Sequence, residues 1–362
     1  MSKIQEIFRL YAPEYLKRYG KTMPKNHKKV IKAIMNCRSG SFGTHLYQCG
    51  NCGHQHSIAC SCGNRHCPSC QQHKAKQWLH RQMQNRLPCS YFLLTFTVPE
   101  SLRSLIRSHQ KKAYAAMFKA SSEALNKLAR DKRFIGADQL GFFGVLHTWG
   151  RVLQYHPHIH FVVPGGGLSP DHDKWLPSKP DFLVHVKALS PIFRAKFRDA
   201  LAQAGLLSLV DPTVWQKDWV VHSEAVGNGI WTLRYLSRYV FRVAISNSRI
   251  ISAHDHQVTF RYREVHGKRW KRMTLDAMEF IRRFIQHVLP DGFMKIRHYG
   301  FLSPNAKTPI QKIRELICLL YEVIQHLVKP YKPPESSPMI CSHCGGRLVR
   351  QAFLHAFPLP AG

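Results

Sequence analysis

The 362-residue sequence predicts an α+β fold with a central, largely antiparallel sheet flanked by helices, and three observations carry that expectation. Strand-like apolar runs at 91–98, 142–149 and 152–163 are mixed with helical stretches but show no regular strand–helix–strand alternation, which disfavours a parallel sheet. Short strand candidates at 249–252, 258–263 and 269–273 follow one another as a meander. The apolar fraction of 44% is ordinary for a globular chain and sufficient for a sizeable core.

Taken in order, residues 4–19 place Ile7, Leu10, Tyr11 and Tyr15 at helical spacing, and 28–36 reads as a second helix; together they form a basic N-terminal arm. From 45 to 73 the composition turns to Cys, His, Gly and Asn, the mark of a small metal-stapled module. A connecting helix at 74–86 leads to the strand at 91–98, which Pro99 stops, and a long helical stretch covers 102–130. The strands at 142–149 and 152–163 end in Pro164-Gly-Gly-Gly167, a strong breaker. A helix near 191–205, a strand at 219–226, a Gly-Asn-Gly turn and a helix from 230 to 243 precede the meander. Helices at 275–289 and 309–328, the segment 293–301 and a basic, Pro-rich tail complete the chain. The expected division is a helical arm at 1–44, a zinc-binding module at 45–73, a nuclease-like domain at 74–302 and a C-terminal helix and tail at 303–362.

Charge narrows the function. Lys and Arg number 53 against 21 Asp and Glu, a net +32 that repels itself in a compact fold and calls for a polyanionic partner. Basic residues interleaved with aromatics along the whole chain favour nucleic acid over a membrane surface. No run of about 18 apolar residues is present, and 1–19 lacks the apolar block of a signal peptide, so the expected location is cytoplasmic. In that compartment the 11 cysteines read as metal ligands or buried thiols rather than disulfides.

Cys49-x-x-Cys52 followed by Cys67-x-x-Cys70 has the paired-knuckle spacing of a zinc ribbon, each turn presenting two thiolates to one tetrahedral Zn²⁺. The intervening His54, His56, Cys60, Cys62 and His66 exceed one ion's needs, so either a second ion binds or some are spectators; Cys62 and His66 are the further ligand candidates. Four thiolates leave no open position, which makes the zinc structural, and nearby Arg65, Lys74, Lys76 and Arg81 favour docking on DNA. Cys341-Ser-His-Cys344 is a lone second pair, and Cys37, Cys89 and Cys318 stand isolated as packing thiols.

In His156-Pro-His158-Ile-His160, strand alternation sends His158 and His160 to one face and Ile159 to the other. Two imidazoles projecting together with open positions suit a catalytic Mg²⁺ or Mn²⁺ that polarises a phosphate oxygen, and His156 is the third-ligand candidate by parity. Further on, Tyr235 and Tyr239 lie at i, i+4 beside Arg234, Arg238 and Arg242 at i, i+4, i+8, a tyrosine stripe along an arginine stripe. Adjacent cations favour the phenolate and hold the phosphate under attack, although tyrosines at this spacing also serve as core packing. A carboxylate-metal nuclease is disfavoured by the scarcity of paired acids, and a non-enzymatic zinc-ribbon DNA-binding protein leaves the histidine strand unused.

His158-Ile-His160 resembles the His-hydrophobe-His motif of the HUH endonucleases. With the Cys49–Cys70 module, His147-Thr-Trp-Gly150, Gly165–Gly167, Tyr235-x-x-x-Tyr239, Arg242-Val-Ala-Ile-Ser-Asn247 and Arg297-His-Tyr-Gly-Phe301, the chain resembles the insertion-sequence-91-type rolling-circle transposases over residues 46–301. The resemblance implies an HUH-type nuclease core with metal on its central strands and the tyrosine helix packed across it. It also implies cleavage of single-stranded DNA at an element end, leaving a 5′-phosphotyrosine and a free 3′-hydroxyl, with a second strand transfer resolving the intermediate. Arg297 of the last motif is then a further DNA contact. No Gly-x-x-x-x-Gly-Lys-Ser/Thr loop is present, so strand separation is expected from host replication or helicase functions.

Overall fold

The structure is a computed structural model that describes residues 2–240, 244–264, 269–321 and 338–355, with Arg238 and Tyr239 described by backbone alone. Helix α1 (Lys3–Tyr19) is capped by the Ser2 hydroxyl, which accepts the Gln5 N–H at 3.2 Å, and is followed by α2 (Lys25–Asn36). A hairpin, β1 (Thr44–Cys49) and β2 (Gln55–Ala59), leads to α3 (Gln72–Gln84) and β3 (Tyr91–Thr97). The helical run expected over 102–130 is broken at His109, whose φ of −118° and ψ of 40° are not helical, into α4 (Arg103–Ser108) and α5 (Gln110–Ala129). Then come β4 (Gly141–Trp149), β5 (Tyr155–Pro164), β6 (Gly166–Leu168), β7 (Trp175–Pro177), α6 (Val186–Gln203), β8 (Val221–Ala225) and α7 (Ile230–Val240). The meander is β9 (Ile250–His254), β10 (Gln257–Arg263) and β11 (Trp270–Asp276), followed by α8 (Ala277–Ile285), β12 (Ile296–Gly300), α9 (Ile310–Tyr321) and β13 (Leu348–Leu354).

The central sheet has the order β12-β4-β5-β3-β8 and is antiparallel throughout. Its alternating side chains divide cleanly between two faces. On one, Phe92, Leu94 and Phe96 of β3, Phe142 and Leu146 of β4, and Ile159, Phe161 and Val163 of β5 are buried beneath α5 and α6. On the other, Tyr91, Phe143, Val145 and Val162 are buried with Trp78 of α3 and Leu233, Leu236 and Val240 of α7. A second core joins α1 and α2 to α8 and the β9–β10–β11 sheet through Ile7, Phe8, Ile34, Phe260, Phe280 and Phe284.

Two local departures from the sequence expectation have physical causes. The strand expected to start at 152 starts at Tyr155, because Leu153 adopts a φ of 66° in the turn that carries its buried side chain into the second core. The tail contains a strand: β13 pairs antiparallel with β1, Cys49 opposite Leu348, and completes a three-stranded sheet β13-β1-β2 with the N-terminal hairpin. No helix of the described residues is long and apolar enough to cross a membrane.

Buried His287 ties these parts together. Its Nε2 donates to the Leu153 carbonyl at 3.1 Å and its Nδ1 accepts from the Thr148 hydroxyl at 3.2 Å, an arrangement only the neutral ring makes. Burial pushes its pKa down to about 3, and burial with nearby Arg107 pushes that of His27 down to about 4. As pH falls below the ordinary value of about 6.5, the unfolded chain protonates first. Their stabilisation is therefore complete above that pH and is lost as pH drops toward 4 and 3, at up to about 1.4 kcal/mol per pH unit for each group. Thermal melts between pH 7 and 4 should show a falling Tm, with a shallower fall in His287→Gln; an unchanged slope in that variant refutes the assignment.

Candidate metal centre and tyrosine helix

On the α7 face of the central sheet, the apolar rows give way toward one end to imidazoles. Antiparallel register sets His147 of β4 directly opposite His158 of β5, and His160 opposite Thr95 of β3. The ligand atoms of His147, His158 and His160 all lie within 4.8 Å of one another, and their ring centroids are 4.7–5.4 Å apart.

Two of the rings, His158 and His160, are held by hydrogen bonds at Nδ1. His158 Nδ1 donates to the His156 carbonyl at 2.7 Å, so its Nε2 is the free acceptor, and His160 Nδ1 is hydrogen-bonded to the Thr95 hydroxyl at 3.0 Å. Burial pushes His160 down to about 4; burial first, then the neighbouring imidazoles, hold His147 and His158 well below the usual histidine range. All three are thus neutral near pH 7, as a cation site requires.

The third imidazole of the cluster is His147, not His156. Parity places His156 on the correct face and its ring lies 5.1 Å from that of His158, but it stands four residues from His160 along β5, and the Arg103 guanidinium donates to its Nδ1 at 2.8 Å. His147, opposite His158 on the neighbouring strand, reaches both His158 and His160, and register is what a single strand's sequence does not contain. Thr95 and Arg103 were likewise beyond sequence reach.

Helix α7 lies over this face because Leu233, Leu236 and Val240 form an apolar stripe at i, i+3, i+7. Arg234 and Tyr235 fall on the exposed side; Tyr235 is 48% exposed, and the Arg234 guanidinium sits 5.4 Å from the ring centroid of exposed Trp231. Tyr239 is helical and precedes buried Val240, while its side chain and that of Arg238, and the whole of Arg242, lie outside the described residues. Arg297 belongs to the opposite face: it is paired with Gly144, and its guanidinium stacks 4.5 Å from the Phe118 ring of α5.

Beside the end of α7, a cavity of about 420 Å³ is lined by Val240, Thr148, Trp149, His287, Arg65 and Lys295, among others. The Lys295 ammonium lies 4.7 Å from the Trp149 ring centroid, and burial, then Arg65, push its pKa down to about 7. An anion entering the cavity restores its charge. A second basic surface is the outer face of the meander, where Arg261 opposes Arg272 and Arg263 opposes Trp270, with both Arg261 and Arg263 stacked within 4.9 Å of the Trp270 ring centroid.

The cysteines fall into two groups and not into the single set expected from spacing. Cys67 and Cys70 join Cys62 and Cys37, whereas Cys49 and Cys52 join Cys341 and Cys344, all four ligand atoms of each group lying within 4.8 Å. Spacing identifies a knuckle but not its partner, and the strand pairing of β13 with β1 supplies that partner. Cys62 thus belongs to a cluster, as does Cys37, which sequence had left isolated. His66 does not: its Nε2 accepts from Arg65 Nε at 3.3 Å and from the Leu289 N–H at 3.4 Å, docking the cysteine-rich segment on the loop before β12.

Residues 7–98 match a family model described as "Transposase zinc-binding domain", and residues 141–309 match one described as "Putative transposase". The chain is 39% identical over 321 residues to "Putative transposase y4qJ" of Sinorhizobium fredii, covering 83% of this chain and 80% of that protein. It is 28% identical over 357 residues to "Transposase for insertion sequence element IS801" of Pseudomonas savastanoi pv. phaseolicola, covering 90% and 83% respectively. No solved structure matches.

If the cavity cation meets a phosphate, Lys295→Met should weaken DNA binding several-fold and lower the slope of log affinity against log salt by about one. Titrations at four or five salt concentrations measure both, and an unchanged slope rules the contact out.

Proposed function

The chain belongs to the insertion-sequence-91-type transposases that carry an N-terminal zinc-binding domain, and from that membership we propose that it nicks and rejoins single-stranded DNA at its element's ends through a tyrosine nucleophile. The observation that carries the reading is the placement of three neutral imidazoles, His147, His158 and His160, on the sheet face covered by the helix that bears Tyr235 and Tyr239.

The donor chemistry fits a catalytic divalent ion: two of the rings have Nδ1 hydrogen-bonded, and all three are held neutral by burial. Among the described residues no group of three potential ligands includes a carboxylate, and an all-nitrogen set favours Mn²⁺ over the harder Mg²⁺. Such an ion supplies polarisation of a phosphate oxygen. The chain's own residues supply the rest. A phenolate of the Tyr235/Tyr239 pair attacks phosphorus, the bond from phosphorus to the 3′ oxygen breaks, and that oxygen leaves with the electron pair and takes a proton to become the 3′-hydroxyl. The 5′ phosphate stays on the tyrosine. In the second step an incoming 3′-hydroxyl attacks the phosphotyrosine, and the phenol leaves and recovers a proton. Arg234, Arg238 and Arg242 favour the phenolate and hold the phosphate, and Arg297 contacts a flanking part of the strand from the sheet's other face.

The Cys37–Cys62–Cys67–Cys70 group holds structural Zn²⁺ in the zinc-binding domain, and four thiolates leave that ion no open position for catalysis. The basic outer face of the meander is a second, sequence-independent contact with DNA. Strand separation comes from host replication or helicase functions.

Purified protein with Mn²⁺ and single-stranded DNA of its element's end should form a covalent adduct stable to denaturing electrophoresis. The double variant Tyr235→Phe, Tyr239→Phe should abolish it, and the single variants report which phenol attacks; adduct formation by the double variant refutes the mechanism. Thr95→Val, which removes the hydroxyl on His160 Nδ1, should raise the Mn²⁺ concentration for half-maximal adduct about 10-fold while leaving the melting temperature of the metal-free protein within a few degrees. No change in metal requirement excludes His160 as a ligand oriented by Thr95.

A further inference from the structure

The N-terminal knuckle Cys49-Gly-Asn-Cys52-Gly53 and the C-terminal knuckle Cys341-Ser-His-Cys344-Gly345 are local copies of one another, separated by nearly the whole chain. Each closes with the same backbone bond, Gly53 N–H to the Cys49 carbonyl at 3.0 Å and Gly345 N–H to the Cys341 carbonyl at 2.9 Å. Each ends on a glycine in the left-handed region, with φ of 71° and 74°, where a side chain is strained. The two turns face each other: Cys49 Sγ lies 3.4 Å from Cys344 Sγ, and Cys52 Sγ lies 3.8 Å from Cys341 Sγ. A tetrahedral ion with bonds of about 2.3 Å to sulfur sets its ligands about 3.8 Å apart, so these separations match shared coordination. A disulfide, at about 2.05 Å, does not.

The surroundings support thiolates. The N–H groups of Asn51, His343 and Gly346 each donate to a knuckle sulfur at 3.4 Å, and His56 Nε2 lies 3.2 Å from Cys341 Sγ. The rings of His54 and His343 stack beside the group, 5.4 Å apart and within 10° of parallel. The strands leaving the knuckles are registered by the same contact: Gly50 N–H donates to the Arg347 carbonyl at 3.0 Å, and Cys49 pairs with Leu348.

We propose that Cys49, Cys52, Cys341 and Cys344 bind one structural Zn²⁺ that fastens the two ends of the chain together, so that the ribbon β13-β1-β2 exists only when the C-terminal knuckle is present. This ion is separate from the one assigned to Cys37, Cys62, Cys67 and Cys70, and half its ligands lie outside residues 7–98, the span of the matched zinc-binding domain. The inference does not depend on the tyrosine mechanism.

Elemental analysis of the purified full chain should give two zinc ions per molecule. Cys341→Ala, Cys344→Ala should give one, and retention of that one reports that the remainder is folded. Cys341→His, which keeps a zinc ligand, should restore the second. On Co²⁺ substitution the sulfur-to-cobalt charge-transfer band should fall to about half in the double alanine variant. One zinc in the wild-type chain, or two in the double alanine variant, overturns the proposal. Should the alanine variant lose all zinc, Cys341→His decides: two ions uphold the shared site and one refutes it.

Discussion

The alignment of β4 on β5 is the constraint from which the candidate site follows. Phe161 and Gly144 are paired across these strands, and a Cβ at Gly144 would lie 2.4 Å from the Phe161 ring and 3.0 Å from that of Phe118. The bare glycine lets two aromatic rings close over the strand from the α5 side. That packing holds Phe161 and Ile159 inward and sends His158 and His160 to the opposite face. A slip of one residue would exchange the two sets, burying imidazoles under α5 and α6 and exposing phenylalanine to α7. The same register brings His147 opposite His158, so one packing arrangement determines the ligand cluster and the surface on which the tyrosine helix rests.

Electrostatics sets a second condition on the same scaffold. With a net charge of +32, the chain carries its excess on surfaces that oppose like charges, such as Arg261 against Arg272, a pair that costs stability when no anion lies between them. Stacking on Trp270 keeps Arg261 and Arg263 in place without neutralising them. Lys295, inside the cavity at the end of α7, shows the same economy in another form: burial and Arg65 weaken its hold on a proton, and a bound phosphate reverses that. A transposase acts on DNA, and on the proposed function these surfaces would hold cations desolvated or crowded in advance of that substrate.

Much of this was legible in the sequence, and the boundary of legibility is physical. Alternation along β5 and the apolar stripe of α7 are local periodicities, so the central strands and the tyrosine helix could be placed from sequence alone. His158 and His160 fell on one face by the same logic. Partnership across strands was not legible. His147 takes the place expected for His156 because antiparallel register sets it within reach of both His158 and His160, whereas His156 lies four residues from His160 along β5. Cys49 and Cys52 pair with Cys341 and Cys344 because β13 returns to β1 from the far end of the chain. The break at His109 and the left-handed turn at Leu153 are tertiary overrides of the same kind, each relieving a helix or strand that local propensity would have continued.

The three-histidine cluster and the surplus of positive charge pull against each other, and the substrate is what reconciles them. Imidazoles contribute no negative charge, so a divalent ion held by His147, His158 and His160 alone keeps its full charge in a protein already strongly cationic and beside Lys295, which lies close enough to depress His147 further. A carboxylate in the cluster would have offset that charge in the resting protein. On the proposed mechanism the phosphodiester itself would supply the missing negative charge to the ion and to nearby Lys295. Ion and DNA strand would then bind cooperatively, since each would remove the repulsion that disfavours the other. A site built this way would be weak for metal until the strand is in place, which on the proposed mechanism would confine the cutting chemistry to the moment when the scissile phosphate is bound.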